Sequence, residues 1–341
     1  MDLSELDYDL PPEAIAQTPA PRRDAARLLV VGRASGSLED RAVADLPRLL
    51  RPGDCLVVND SRVVPARVYA ADARGRPVEL LFVEPERGGR WTALVRPGRR
   101  CGAGAELQAG PARLSVAAVL ADGARLIERR DGTILDLLDT QGLPPLPPYI
   151  ARHAKPAPED WERYQTVYAR TPGSIAAPTA GLHFTEELLA RLSARGVEVL
   201  ALTLHVGPAT FRPITAARVE DHVLAPERVS VPVGVATAVD RARAEGRRVI
   251  AVGTTTTRAL EGRAAADGRV RPGAGPVDLT ITPGRRFRVV DALLTNFHLP
   301  RSSLLVLVAA FAGRELVLRA YRHAVRAGYR FYSYGDATLI V

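Results

Sequence analysis

The chain has 341 residues, of which 47% are hydrophobic and 25% charged, and a formal net charge of +8. That length exceeds the point at which one hydrophobic core stops growing, so two compact domains are expected, and the apolar fraction excludes global disorder. Cys55 and Cys101 are too few for a disulfide framework or a cysteine zinc site, and the longest apolar run, Leu304 to Ala312, is too short to span a bilayer.

The positive charge is almost entirely arginine, Lys155 being the single lysine. Arginine grips phosphate in a bidentate way, so nucleic acid is a natural class of partner; the plain alternative is a solvated arginine-rich surface. The N-terminal stretch is acidic where a secretory signal needs a basic run followed by an apolar one, so a soluble, cytoplasmic protein is expected.

In chain order, residues 55–59 (CLVVN) read as a short buried strand entered from the turn Pro52-Gly53-Asp54. From Ala66 to Arg130 come short alternating runs separated by Arg74-Gly75, Gly88-Gly89 and Asp122-Gly123. Glycine at these joins suits tight hairpins, and the spacing predicts a small antiparallel β-barrel. A short helix over TILDLLDTQG and a stiff proline-rich stretch, 143–150, follow.

Helices are then expected at 158–169, 185–195, 233–245 and 258–266, with two more between Ser302 and Ala327. They alternate with strands at 197–207, 247–253, 287–294 and 329–335, the pattern of an α/β domain around a mixed or parallel sheet. The simplest architecture is an α/β domain made of residues 1–62 and 146–341, with the barrel, 63–145, inserted between them.

The strand ending at Gly253 runs into Thr254, Thr255, Thr256, Thr257 and Arg258. Hydroxyls and free N–H groups at a helix start beyond a strand suit an anionic group, and Arg258 suits a carboxylate or phosphate, although each threonine alone equally suits a helix cap. The small-residue loop 172–184 delivers His183 to the start of a helix, while His205 and His298 also stand at element ends. If the three meet, they form a site titrating near neutrality and fit for moving protons. No HExxH spacing or carboxylate pair accompanies them, so no metal is expected; Walker, GxGxxG and nucleophile-elbow motifs are also missing. Asn59 and Asp336 are candidates to read a purine edge and Tyr334 to stack on a base, with turn formation as the plain alternative.

Taken together, several stretches resemble one family, the S-adenosylmethionine:tRNA ribosyltransferase-isomerases of queuosine biosynthesis. They are VVNDSRVVPAR (57–67), LPPYI (146–150), YQTVYA (164–169), PGSIAAPTAGLHF (172–184), TLHVGPATFRPI (203–214), VIAVGTTTTRALE (249–261), VDALLTNFHLPRSSLLVLVAAFAG (290–313) and YRFYSYGDA (329–337). The resemblance implies an α/β domain with an inserted barrel. It also implies transfer and isomerisation of the ribosyl part of S-adenosylmethionine, a consumed co-substrate, onto 7-aminomethyl-7-deazaguanine at the tRNA wobble position. Epoxyqueuosine would result, with adenine and methionine released, and no prosthetic group, metal or obligate protein partner is implied.

On that resemblance His183, His205 and His298 are the proton-moving candidates, with base and acid undistributed. Arg258 and Thr254 to Thr257 suit the methionine carboxylate, Asn296 and Asp336 the nucleoside, and Arg62 with the barrel the anticodon-stem phosphates. The chain departs from the family pattern after Glu220-Asp221-His222, where Leu224-Ala225 stands in place of a Met-His pair, and the threonine run replaces Thr-Thr-Ser-Val. Two rival expectations remain: a same-scaffold enzyme acting on a small deazapurine or nucleoside, and a non-catalytic RNA-binding paralogue.

Overall fold

The computed structural model describes residues 1–152, 154–207, 214, 216, 218–222 and 224–341. The chain begins with β1 (Arg27–Val31), β2 (Leu38–Ala42), α1 (Leu46–Leu49), β3 (Cys55–Asn59) and β4 (Ser61–Val63). Six strands follow: β5 (Arg67–Asp72), β6 (Pro77–Pro85), β7 (Trp91–Arg96), β8 (Glu106–Ala109), β9 (Ala112–Val119) and β10 (Arg125–Arg129), then α2 (Ile134–Gln141) and α3 (Asp160–Arg163). The remainder is β11 (Thr171–Ser174), α4 (Glu186–Ala194), β12 (Glu198–Leu204), β13 (Glu227–Val231), α5 (Val233–Ala244), β14 (Val249–Val252) and α6 (Thr254–Arg263). It closes with β15 (Gly273–Val277), β16 (Ala292–Asn296), α7 (Ser303–Ala312), α8 (Arg314–Arg326) and β17 (Ala337–Ile340).

Two compact units result, one comprising Met1–Arg62, Gln165–Thr171 and Ala177–Val341, the other Val63–Tyr164 and Pro172–Ala176. In the second, β5 to β10 close an antiparallel barrel in the order β10-β7-β6-β5-β8-β9. Alternation along the strands turns Val68, Val78, Leu80, Phe82, Leu114 and Ile127 inward, where Leu137 and Leu138 of α2 join them. Thr133 caps α2 by accepting the Asp136 N–H at 3.1 Å, while the Asp136 carboxylate takes the Thr133 N–H at 3.2 Å.

The first unit is built on a nine-stranded sheet in the order β15-β13-β12-β3-β14-β16-β17-β1-β2. Strands β12, β3, β14 and β16 run parallel, and β17 is antiparallel to β16. This is the mixed sheet the alternating pattern predicts. Leu46 of α1 and Leu188 and Leu192 of α4 pack on one face with Leu56, Val58, Ile250, Val252 and Leu294. No residue of α5 or α6 joins that cluster, although both helices pack against β3, β12 and β14, so helices cover both faces.

Four expected elements differ, one of them the strand at 287–294, which is confined to β16, Ala292–Asn296. The helix over 158–169 is reduced to four residues of α3, because the β-branched and aromatic run Thr166, Val167, Tyr168 disfavours helix. Residues 329–335 are not a strand: Tyr332 takes φ 75, which breaks extended pairing, and the strand is β17 just beyond. The helix expected from Arg258 begins at Thr254, four residues earlier. Both cysteines are free and buried, with the Cys55 thiol pushed up to about 12 by burial.

Candidate active site

The parallel strands β3, β12, β14 and β16 end together at Asn59, Leu204, Val252 and Asn296, and this carboxyl edge is where α/β sheets hold ligands. His183 ends a 3-10 turn, Thr179–His183, buried at 4% exposure, and its Nε2 lies 3.2 Å from the Asn296 amide nitrogen. Its pKa is pushed down to about 4, chiefly by burial, with Asp336 opposing and Arg330 and Arg23 reinforcing the shift. The ring is therefore neutral at physiological pH.

Asn296 Oδ1, on the residue that His183 meets, and Tyr168 Oη and Thr166 Oγ1, on residues packed at Gly181 of the same turn, have no hydrogen-bond partner among the described residues. Gly181 leaves space for the Tyr168 ring, since a Cβ there would collide with the tyrosine hydroxyl. Unspent hydrogen-bonding capacity on this scale is costly in a closed core and leaves these atoms available to a polar ligand.

The threonine bend adjoins this cluster, because Gly253, at φ 92, has Ala180 as its nearest neighbour beyond the bend. Thr256 and Thr257 donate their hydroxyls to the Val252 and Gly253 carbonyls at 2.7 and 3.1 Å, so they hold the helix start. Thr254 and Thr255 have no such bond among the described residues and stand with the open N–H groups of the first turn. Arg258 is less free than its sequence position implies. Its guanidinium is ion-paired with buried Glu227 and donates to the Leu279 carbonyl at 3.1 Å. Nη2 alone keeps its hydrogens uncommitted, beside a cleft lined by Ile214, Leu224, Ile281 and Leu307 and by His222, whose Nε2 is also unpartnered.

The three histidines do not converge as a set. His298 donates or accepts at Nε2 with Thr295 Oγ1 at 3.0 Å, its N–H donates to Tyr321 Oη at 3.2 Å, and its carbonyl accepts from Tyr8. Thr295 and Asn296 are successive strand residues, so the His298 contact lies on the opposite face of β16 from that of His183. Burial pushes the His298 ring down to about 3 within an aromatic cluster of Tyr8, Phe297, Tyr321 and Phe331. His205 stands just beyond β12 with Nδ1 buried and unpartnered, its pKa lowered by burial and Arg228 and raised in part by Asp60.

Other candidates resolve as follows. The Asn59 amide is spent on the Leu204 N–H and carbonyl, both at 2.9 Å, and on the Ser61 N–H, so it pins β3 to β12 instead of facing a base. The Asp336 carboxylate accepts the Arg27 and Arg330 N–H groups at 3.0 and 2.8 Å, which makes it a fastener of the edge and a charge near His183. Tyr334 is 3% exposed and offers no ring face to a base arriving from solvent. Arg62 is exposed and has no ion pair among the described residues. Within the 203–214 motif, residues 208–213 lie outside the described residues, as does Val223 beside Leu224. Among the described residues no group of three or more His, Cys, Asp or Glu is arranged to hold a metal, and no helix is long and apolar enough to cross a membrane. The sequence reading passed over Tyr168, Thr166 and Tyr332; only the threading of Tyr168 against Gly181, invisible without the fold, singles the first two out.

Helices on both faces of a mixed sheet, unpartnered buried polar atoms at its carboxyl edge, and a six-stranded antiparallel barrel define the class, an α/β enzyme with a β-barrel unit. The chain belongs to the queuosine biosynthesis protein family, whose model matches residues 3–340. It is 51% identical over the full length of both chains to an S-adenosylmethionine:tRNA ribosyltransferase-isomerase of Moorella thermoacetica. It is 52% identical to one of Thermus thermophilus, with 99% of each chain covered. A crystal structure of S-adenosylmethionine tRNA ribosyltransferase from Thermotoga maritima aligns with 99% of this chain and 100% of its own, at 37% identity and a TM-score of 0.58.

Proposed function

We propose that this chain is an S-adenosylmethionine:tRNA ribosyltransferase-isomerase. It transfers and isomerises the ribosyl moiety onto the aminomethyl group of 7-aminomethyl-7-deazaguanine at the tRNA wobble position, giving epoxyqueuosine and releasing adenine and methionine. The observation that carries the reading is the set of buried, unpartnered polar atoms around His183, in a chain about half identical to relatives bearing that name.

The sulfonium acidifies the ribose 5′ carbon, so one positioned base takes a proton there while a donor supports the departing adenine. His183 and His205 share those tasks; His298, with Nε2 turned to Thr295 and its backbone N–H to Tyr321, supports the fold. Thr254, Thr255 and the first turn of α6 offer donors to the methionine carboxylate, and the free Nη2 of Arg258 borders an apolar cleft suited to the methionine chain. Asn296 meets the nucleoside, with Asp336 holding the edge behind it. Exposed Arg62, and Arg96 and Arg99 of the barrel, contact RNA phosphates in the cytoplasm.

Incubation with S-adenosylmethionine and tRNA carrying the aminomethyl-deazaguanine is expected to release adenine and methionine in equal amounts. Methionine without adenine, or activity on the free base alone, overturns the assignment; tight tRNA binding without adenine release points to a non-catalytic RNA binder.

A further inference from the structure

The Asn296 amide nitrogen has two partners: it donates to the Tyr332 carbonyl at 3.1 Å and lies 3.2 Å from Nε2 of His183. A carbonyl only accepts, so Tyr332 requires the nitrogen and not the oxygen of the amide on its side, which settles the amide's orientation. Both hydrogens of that nitrogen then point at acceptors. His183 Nε2 faces a donor and presents its lone pair, and in a neutral imidazole the one proton must sit on Nδ1. What remains unspent is one donor, Nδ1–H, and one acceptor, the buried Asn296 Oδ1.

The Tyr332 carbonyl is itself held by unusual backbone. Tyr332 lies at φ 75, left-handed space that a residue with a Cβ enters only against steric strain. The bend persists because its groups are all engaged. The Tyr332 N–H donates to the Phe297 carbonyl at 3.0 Å, the Gly335 N–H donates back to the Tyr332 carbonyl at 3.0 Å, and Asp336 fastens Arg330 and Arg27. At Gly335 any Cβ would press on the backbone of Arg330 and Phe331.

We propose that the Tyr332 carbonyl, acting through the Asn296 amide, fixes His183 as its neutral Nδ1–H tautomer, so that His183 meets substrate as a hydrogen-bond donor and not as a base. The inference rests on the reading of this edge as the reaction site. Tyr332 and Asn296 are positioning residues in this scheme. One donor and one acceptor complement in kind the N7 and N6 edge of adenine, the group that leaves. A neutral imidazole supports that departure by hydrogen bonding and keeps its proton, since losing it would leave an imidazolate. Proton removal from the ribose then falls to another group, for which His205, with its free Nδ1 just beyond β12, is the candidate.

The test is nitrogen NMR on the whole protein labelled in histidine, with His183 assigned by the resonance lost in His183→Gln. The expected spectrum has a protonated Nδ1 and an unprotonated Nε2, with no titration of this ring above about pH 5 given a midpoint near 4. The groups facing it are Asp336, Arg330 and Arg23, of which only the carboxylate favours the charged ring. In Asn296→Asp the carboxylate accepts where the amide donated, so the proton should move to Nε2 and the midpoint should rise. Adenine release should fall about tenfold or more while tRNA affinity stays within about twofold. A proton on Nε2 in the unsubstituted protein, an even mixture of tautomers, or an Asn296→Asp spectrum unchanged from the parent each overturns the proposal. The expected spectrum in a protein that releases no adenine would instead strike the functional reading and leave the tautomer assignment standing.

Discussion

His183 and His298 flank the end of the same strand, are both 4% exposed, and both have pKa values pushed far down by burial. Their surroundings differ in kind. On the His298 side Thr295 meets Nε2 of the ring, Tyr321 takes the backbone N–H, Tyr8 caps the carbonyl, and the neighbouring Phe297 packs edge-on against Tyr321. On the His183 side Asn296 Oδ1, Tyr168 Oη and Thr166 Oγ1 are left without partners. The contrast teaches that a perturbed pKa alone does not tell two buried histidines apart; unspent hydrogen-bonding capacity nearby does, and it is on this that the catalytic role proposed for His183 rests.

Exchanging the two sides in turn tests that lesson. His183→Gln is expected to lower the rate of adenine release by about 10²- to 10³-fold with little change in thermal stability, read by single-turnover assay beside calorimetry. His298→Ala should do the reverse. It opens a cavity among Tyr8, Phe297 and Tyr321 and strands their polar contacts, costing about 2–4 kcal/mol in denaturant unfolding while the folded fraction keeps near-parental turnover. Equal loss of both quantities in both variants would erase the distinction.

Acid probes the two together. Each ring is neutral when folded, with a midpoint near 4 for His183 and near 3 for His298, and ionises near 6.5 when unfolded. Between those values the unfolded chain binds more protons, so the stabilisation present above pH 6.5 is lost as pH falls toward 4 and then 3, on the order of 3 kcal/mol for His183 and 5 kcal/mol for His298. His298→Phe, if it packs, should flatten the lower part of that fall, and an unchanged acid profile would show that this imidazole is not buried neutral. The smallest effect lies away from both: Arg62→Gln should weaken tRNA binding by roughly 3- to 10-fold and reduce the salt slope by about 1, leaving stability unchanged.

Periodicity made the layered architecture legible. Runs such as PVELLFVEP and VIAVG became β6 and β14, and the glycine joins became barrel hairpins. Strands β1, β2 and β8 were missed because their runs are short or, as in LEDRA, mostly polar. At the site, sequence order named His183, Asn296 and the threonine bend, whereas the face on which each histidine lies depends on the pleat of β16 and is not written in spacing. The tyrosine-rich stretch 329–335 looked like a strand by composition. A single left-handed residue, Tyr332, turns it into the bend that grips Asn296, and nothing in a Phe-Tyr-Ser-Tyr string announces that. Arg258 looked free by position; its partner Glu227 lies 31 residues away on β13.

The pairing of β1 with β17, and the grip of Asp336 on the Arg27 N–H across 309 residues, sets an order of assembly. Barrel strands pair within one short stretch of chain and can close soon after leaving the ribosome, whereas the carboxyl edge waits until Asp336 has been synthesised. A nascent chain abandoned before that point carries a finished barrel and an open β1 flank, an unpaired strand edge of the kind that templates pairing with another chain.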